Sequence, residues 1–235
     1  MKFIEHIKEP TCLYLTWQPP ITSEFSRTRR VVAKLVRTEN SDANLKYLTD
    51  AEDYRAAVEM GFEGYPAFPL TRPCYENVLC TFVKRMPPRK RGDFHKYLNA
   101  IRIPVEAKIS DFALLGYSGA KLPEDTFNLC VCLRDETAPF ELMTEISGFR
   151  HHAGMNIRED LHPGDIVSLD KEPTNEYDPN AIKVLRQNVH IGYIDRVITG
   201  DFHLWMDEGR IKSVQIERIN GQPERPQIFL FVEIV

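Results

Sequence analysis

The segment Glu172-Pro173-Thr174-Asn175-Glu176-Tyr177-Asp178-Pro179-Asn180-Ala181-Ile182-Lys183-Val184 constrains this chain more than any other. Pro173 and Pro179 fix φ and withhold backbone donors, while Asn and Asp side chains bond their own backbone. Residues 172–180 are therefore confined to a tight turn. Ala181 to Val184 then take up strand patterning. A rigid turn leading into a strand holds its side chains in fixed places, as a binding loop requires.

Strand and turn signals surround it. Upstream lie Gly148-Phe149-Arg150-His151-His152 and Leu161-His162-Pro163-Gly164-Asp165-Ile166-Val167-Ser168-Leu169; downstream lies Val189-His190-Ile191-Gly192-Tyr193-Ile194-Asp195-Arg196. The N-terminal half reads differently. Residues 11–17 form a strand-length run stopped by Pro19-Pro20. Residues 31–37 read as its partner, with Ser23, Glu24, Phe25, Ser26, Arg27, Arg29 and Arg30 in or beside the connection. Thr49 is placed to cap a helix carrying Tyr54, Ala57, Val58 and Met60 and ending at Gly61. Gly64 to Leu70 is a proline-punctuated loop, and helical spacing from Tyr75 runs through Val78, Leu79, Phe82, Val83 and Met86 to Pro87-Pro88. Asp93 is placed to cap a helix over residues 94–101, and a further helix over 109–116 is expected to end at Gly116. Residues 127–133 return to strand, and the polar break at Arg134 to Pro139 is the expected boundary. The expected fold is α+β: a mixed α/β domain over residues 1–136, then a small β-barrel with one or two short helices over 137–235.

The apolar run Ile228-Phe229-Leu230-Phe231-Val232 is strand-length, far short of the roughly 20 residues that span a bilayer. The N-terminus lacks a secretory signal pattern, so no membrane partner and a cytoplasmic location are expected. Five cysteines, Cys12, Cys74, Cys80, Cys130 and Cys132, match no disulfide or zinc framework and are expected to be reduced and mostly buried. A metal site joining Cys130 and Cys132 to Cys74 and Cys80 is the lesser alternative. Among seven histidines none has metal-ligand spacing. No phosphate loop, nucleophile elbow or clustered carboxylates are present, so neither a cofactor nor an enzyme is expected.

The formal net charge is −4, and residues from Thr137 onward hold 10 Lys+Arg against 16 Asp+Glu. Attraction to phosphate must then come from local clusters. The densest is Lys84-Arg85-Met86-Pro87-Pro88-Arg89-Lys90-Arg91, followed by Phe94, Lys96 and Tyr97. Basic charge interleaved with aromatics suits single-stranded nucleic acid, and a solvated loop between helices is the plainer reading.

In order and spacing, the segments from about Phe140 to Val235 resemble the HIRAN domain, a small β-barrel found in certain DNA remodelling enzymes and in bacterial proteins. The opening Leu13-Tyr14-Leu15, Trp17-Gln18, the Phe68-Pro69-Leu70 loop, Arg85-Met86, Tyr97-Leu98 and Leu122-Pro123-Glu124 resemble the region preceding HIRAN in bacterial proteins. They also carry a faint similarity to the N-terminal subdomain of HipA-type kinases, whose phosphate loop and catalytic aspartate are not recognisable here. The HIRAN resemblance implies a pocket for the 3′-hydroxyl end of single-stranded DNA. In it Asp178 accepts a hydrogen bond from the terminal hydroxyl and would repel a phosphate there. Arg150 and Arg196 would hold backbone phosphates, and Tyr177 and Tyr193 would supply aromatic or hydroxyl contacts at the pocket and its rim. Asn175 and Asn180 would bond nucleic acid or fold the loop on itself. His151 stands where the remodelling enzymes carry tyrosine, so a smaller, titratable ring would stack on the base. The alternative from the residues alone is a structural turn, with Tyr177 packed inward and Asp178 capping amides. Lys171 and Glu172 read as a solvated strand end.

Two functions follow as expectations. One is a non-enzymatic DNA-binding protein capturing a single-stranded 3′ end, in DNA repair or phage defence, with a possible partner enzyme. The other is an adaptor or antitoxin-like module that has lost DNA and binds protein.

Overall fold

The computed structural model describes residues 1–20, 22–25, 28–122, 125–152, 155–222 and 224–235. Ser26, Arg27, Pro123 and Glu124, each part of a pattern above, lie outside the described residues. The chain divides into two compact units. One is Lys8–Ile101 with Val105–Asp135; the other is Glu136–Val235 with Met1–Ile7 and Arg102–Pro104.

The first unit runs β1 (Cys12–Trp17), β2 (Arg30–Arg37), β3 (Ala43–Tyr47), α1 (Glu52–Glu59), β4 (Gly64–Tyr65), β5 (Phe68–Pro69), β6 (Cys74–Tyr75), α2 (Leu79–Val83), α3 (Phe94–Ala100), α4 (Asp111–Ser118) and β7 (Phe127–Val131). Its sheet has the order β6-β3-β2-β1-β7, antiparallel at every pairing. Leu13, Leu15, Leu35, Leu45, Phe82, Phe112 and Leu129 are essentially unexposed and form its core.

Several local expectations are corrected. Thr49 does not cap α1, which starts after Ala51 without a side-chain cap. The helical spacing after Tyr75 yields only the short α2, because residues 74–75 are drawn into the sheet against Leu45 and Lys46. Asp93 precedes α3 but does not cap it; its carboxylate pairs with Arg91. Helix α4 runs through Gly116 to a left-handed Gly119 (φ +72°), with Ser110 accepting from the Ala113 amide at its start. Gly116 is needed inside the helix: a Cβ there would lie 2.5 Å from Leu13 and 2.6 Å from Val131. It marks a close helix–sheet contact, not a helix end.

The second unit runs β8 (Phe140–Glu145), β9 (Ser168–Lys171), β10 (Ile182–Arg186), β11 (Val189–Tyr193), α5 (Thr199–Asp207), β12 (Ile211–Gln222) and β13 (Arg225–Ile234), with three-residue 3-10 turns at Phe149–His151, Arg158–Asp160 and Arg196–Ile198. Among the described residues the strands of the expected small barrel do not close into one continuous sheet. There are two three-stranded sheets, β11-β10-β9 and β12-β13-β8. They meet at two single bridges, Ser147 with Tyr193 and Ile166 with Gln215. Phe140, Phe202, Trp205, Leu230 and Phe231 fill the space beneath them, with Trp205 edge-on to Phe140 at 5.3 Å.

The N-terminal residues contribute to this unit: Ile4 is buried, the Ile4 amide donates to the Arg102 carbonyl, and Lys2 pairs with Glu233 at 2.9 Å. Arg102 Nε contacts the buried carboxylate of Glu217 at 2.7 Å. No described helix is long and apolar enough to cross a membrane.

Candidate nucleic-acid interface

The turn that dominates the sequence folds around Asn175. Its Oδ1 accepts the amides of Tyr177 (2.9 Å) and Asp178 (3.0 Å), so one side chain fixes two successive residues of the tip. Its Nδ2 donates to Glu172 Oε2 (2.8 Å) and the Tyr193 hydroxyl (3.1 Å). Of the two roles open to Asn175, the loop-folding one is observed. Asp178 Oδ1 accepts the Asn180 amide at 2.9 Å, and the Asp178 carbonyl accepts the Ala181 amide, which returns the chain to β10.

Glu172 anchors the loop and is not a solvated strand end. Lys183 reaches its Oε1 at 2.6 Å, and Tyr193 donates to its Oε2 at 2.8 Å. The hydrogen bond from Lys183, then that from Asn175, hold the Glu172 carboxyl down at about 2. Burial, then the hydrogen bond to Glu172, pushes the Tyr193 phenol up to about 12. Tyr193 is thus a post that ties the loop to β11, with its hydroxyl already engaged. Lys171 instead pairs with Asp207 at 2.5 Å.

The Ser147–Tyr193 bridge sets the Phe149–His151 turn beside β11. Here Gly192 is required: its φ is +142°, and a Cβ would sit 2.4 Å from Ile146 and 2.6 Å from the Ser147 carbonyl. Behind the turn, His152 and His190 lie 4.1 Å apart and both meet Tyr193 edge-on. Burial first depresses both imidazoles, which favours their neutral forms. His190 Nε2 donates to the Gly192 carbonyl at 3.0 Å. His151 itself is exposed, as is Arg150, whose guanidinium meets no carboxylate among the described residues.

The surface so built has three chemistries. Tyr177 is 95% exposed, which rules out inward packing and leaves both ring faces open. Asp178 is partly exposed, with Oδ2 3.6 Å from Arg196 Nε. Arg150, Arg196 and the exposed side chains of His151 and Asn180 supply cations and donors. His203 Nε2 donates to the Asn180 carbonyl at 2.9 Å. Sequence reasoning missed Glu172, Lys183, His152 and His190, because what matters in them is pairing between strands. Lys183 and Tyr193 are register partners, which is a tertiary fact.

The basic run of the first unit needs one correction. Arg85 is buried; its guanidinium bonds Asp125, the Ala120 and Phe127 carbonyls and the Tyr65 hydroxyl, so it is an internal strut. Lys84, Arg89, Lys90, Arg91 and Lys96 are exposed. Arg89 pairs with Asp111 and Arg91 with Asp93, which weakens the run further as a phosphate site. No three His, Cys, Asp or Glu residues cluster as a metal site among the described residues.

The family model for the HIRAN domain matches residues 139–235, the span that contains the loop, both sheets and the Phe149–His151 turn. Residues 139–235 are a HIRAN domain. Solved structures similar to the chain include the HIRAN domain of human HLTF, at 23% identity over 40% of this chain and 74% of that one, TM-score 0.33. A protein from Lactobacillus plantarum is similar at 25% identity over 42% of this chain and 98% of that one, TM-score 0.34. No curated protein matches the chain. Within the HIRAN domain, the loop 172–181, the turn 149–151 and Tyr193 to Arg196 converge at the end of β11.

Proposed function

We propose that this protein is a non-enzymatic DNA-binding protein whose HIRAN domain captures single-stranded DNA at a 3′-hydroxyl end, in DNA repair or phage defence. The observation that carries this reading is the tip of the loop. An almost fully exposed Tyr177 stands next to a carboxylate, on a backbone locked by Asn175. A bare aromatic on a rigid support is a stacking platform, because ordering it costs little further entropy on binding. The Asp178 carboxylate beside it accepts from a hydroxyl and repels a phosphate. Arg150 and Arg196 flank the same end of β11 and suit backbone phosphates.

Fluorescence polarisation with labelled single strands ending in a 3′-hydroxyl or a 3′-phosphate tests the reading. Tighter binding of the hydroxyl end, lost in Asp178→Ala, is the expected result. Equal binding of both ends would remove end capture and leave a general strand-binding surface. The acidic balance from Thr137 onward favours a second reading, a module that binds protein and not DNA. It predicts no binding to either strand, even at low salt.

A further inference from the structure

Three of the five cysteines share one face of the first unit's sheet. In the β1–β7 pairing Leu13 opposes Val131 and Tyr14 opposes Cys130, so Cys12 falls opposite Cys132. The Cys132 amide donates to the Cys12 carbonyl at 3.4 Å, a single bond that continues the antiparallel pairing at a hydrogen-bonding position just past the end of β7. Such pairs have Cα atoms about 5.5 Å apart, inside the range a disulfide bridges. Leu13, Leu129 and Gly116 lie on the opposite, helix-covered face, whereas Cys12, Cys130 and Cys132 are only half-buried. The expectation of mostly buried cysteines is therefore corrected: none of the five is fully buried, and Cys74 and Cys80 are exposed.

The surroundings polarise the pair. The hydrogen bond from Cys12 is the largest influence bringing the Cys132 thiol down to about 6, against an opposing burial effect, with Tyr14 and Lys34 adding to it. Lys34 lies over the Tyr14 ring at 5.1 Å, on the strand next to β1. Cys12 moves up, chiefly through the same hydrogen bond, and so remains the protonated donor.

We propose that Cys12 and Cys132 form a dithiol oxidation site that takes a hydroperoxide as its oxidant. The Cys132 thiolate attacks one peroxide oxygen; an S–O bond forms, the O–O bond breaks, and the departing oxygen takes a proton to leave as water. Cys12 then gives up its proton and attacks the sulfenic sulfur. The S–S bond forms, the S–O bond breaks, and a second water leaves. Two thiols are oxidised to a disulfide, and one hydrogen peroxide is reduced to two waters. The new bond joins the neighbouring strands β1 and β7 at the end of β7, and a dithiol reductant reverses it.

The test treats the reduced full chain with one equivalent of hydrogen peroxide, followed by peptide mapping without reductant. A Cys12–Cys132 linked peptide, two hydrogens lighter, at least tenfold more abundant than any other pair and cleaved by dithiothreitol, is expected. In Cys12→Ser, dimedone should trap a sulfenic acid at Cys132 with no crosslink. Crosslinks running mainly through the exposed Cys74 or Cys80, or a Cys132 that stays a free thiol while those oxidise, would overturn the proposal.

Discussion

At the scale of single residues, Asn175 and Tyr177 separate structure from function within three positions. Tyr177 is almost fully exposed and supports nothing, so Tyr177→Ala should leave the thermal midpoint unchanged. If the ring stacks on a base, the same variant should weaken single-strand binding by about 5- to 150-fold, the equivalent of ~1–3 kcal/mol. Polarisation and thermal melts on the same sample distinguish the two effects. Asn175→Ala should do the reverse at first. It leaves the Tyr177 and Asp178 amides without their acceptor and costs about 1–3 kcal/mol of stability, read as a lower urea midpoint. Binding should then fall only because the tip is no longer held.

At the scale of elements, the loop and β11 are joined by a carboxylate with a strongly lowered pKa. Glu172 titrates at about 2 here, against an ordinary value of 4.5. The ionised form is the one the folded loop favours, so its contribution is complete above pH 4.5 and is lost as pH falls from there towards 2. Urea unfolding across that window should show a steeper loss of stability in the wild type than in Glu172→Gln. Equal slopes would mean that the Lys183–Glu172–Tyr193 network does not couple to folding. Gly192 makes a harsher demand on the same strand. Gly192→Ala places a Cβ against Ile146 and the Ser147 carbonyl at a backbone angle that side chains avoid. It should disrupt the Ser147–Tyr193 seam, lowering the melting temperature and single-strand affinity together, because the Phe149–His151 turn hangs from that bridge.

At the scale of the whole molecule, the C-terminal unit is not a contiguous stretch of chain. It includes Met1–Ile7 and Arg102–Pro104, and Arg102 is the cation beside the buried Glu217. Removing Arg102 takes away the cation and leaves the buried carboxylate with the Lys2 amide, 3.2 Å away, as its remaining donor. Arg102→Met is therefore expected to destabilise this unit by about 3–5 kcal/mol in chemical denaturation. Residues 137–235 expressed alone should show the same deficit. A fragment as stable as that unit in the full chain would show that Glu217 finds another partner.

What could be read from the chain alone was whatever is local. The density of Asn, Asp and Pro over residues 172–180 demanded a rigid turn, and the strand-length apolar runs at residues 11–17 and 31–37 demanded strands, because turn chemistry and strand propensity act over a few residues. The motif order also marked the HIRAN domain, whose family model matches residues 139–235. Tertiary structure decided the rest through pairing across long separations. It turned Arg85 from a surface cation into an internal strut on Asp125, and made Glu172 the anchor of the loop. It arranged the C-terminal strands as two sheets bridged at Ser147 and Ile166, and set Cys12 opposite Cys132. Residues so far apart in sequence have no shared local pattern. Whether a charge is solvated, paired or buried depends on which strand lies beside it, and strand register is determined only when the core closes.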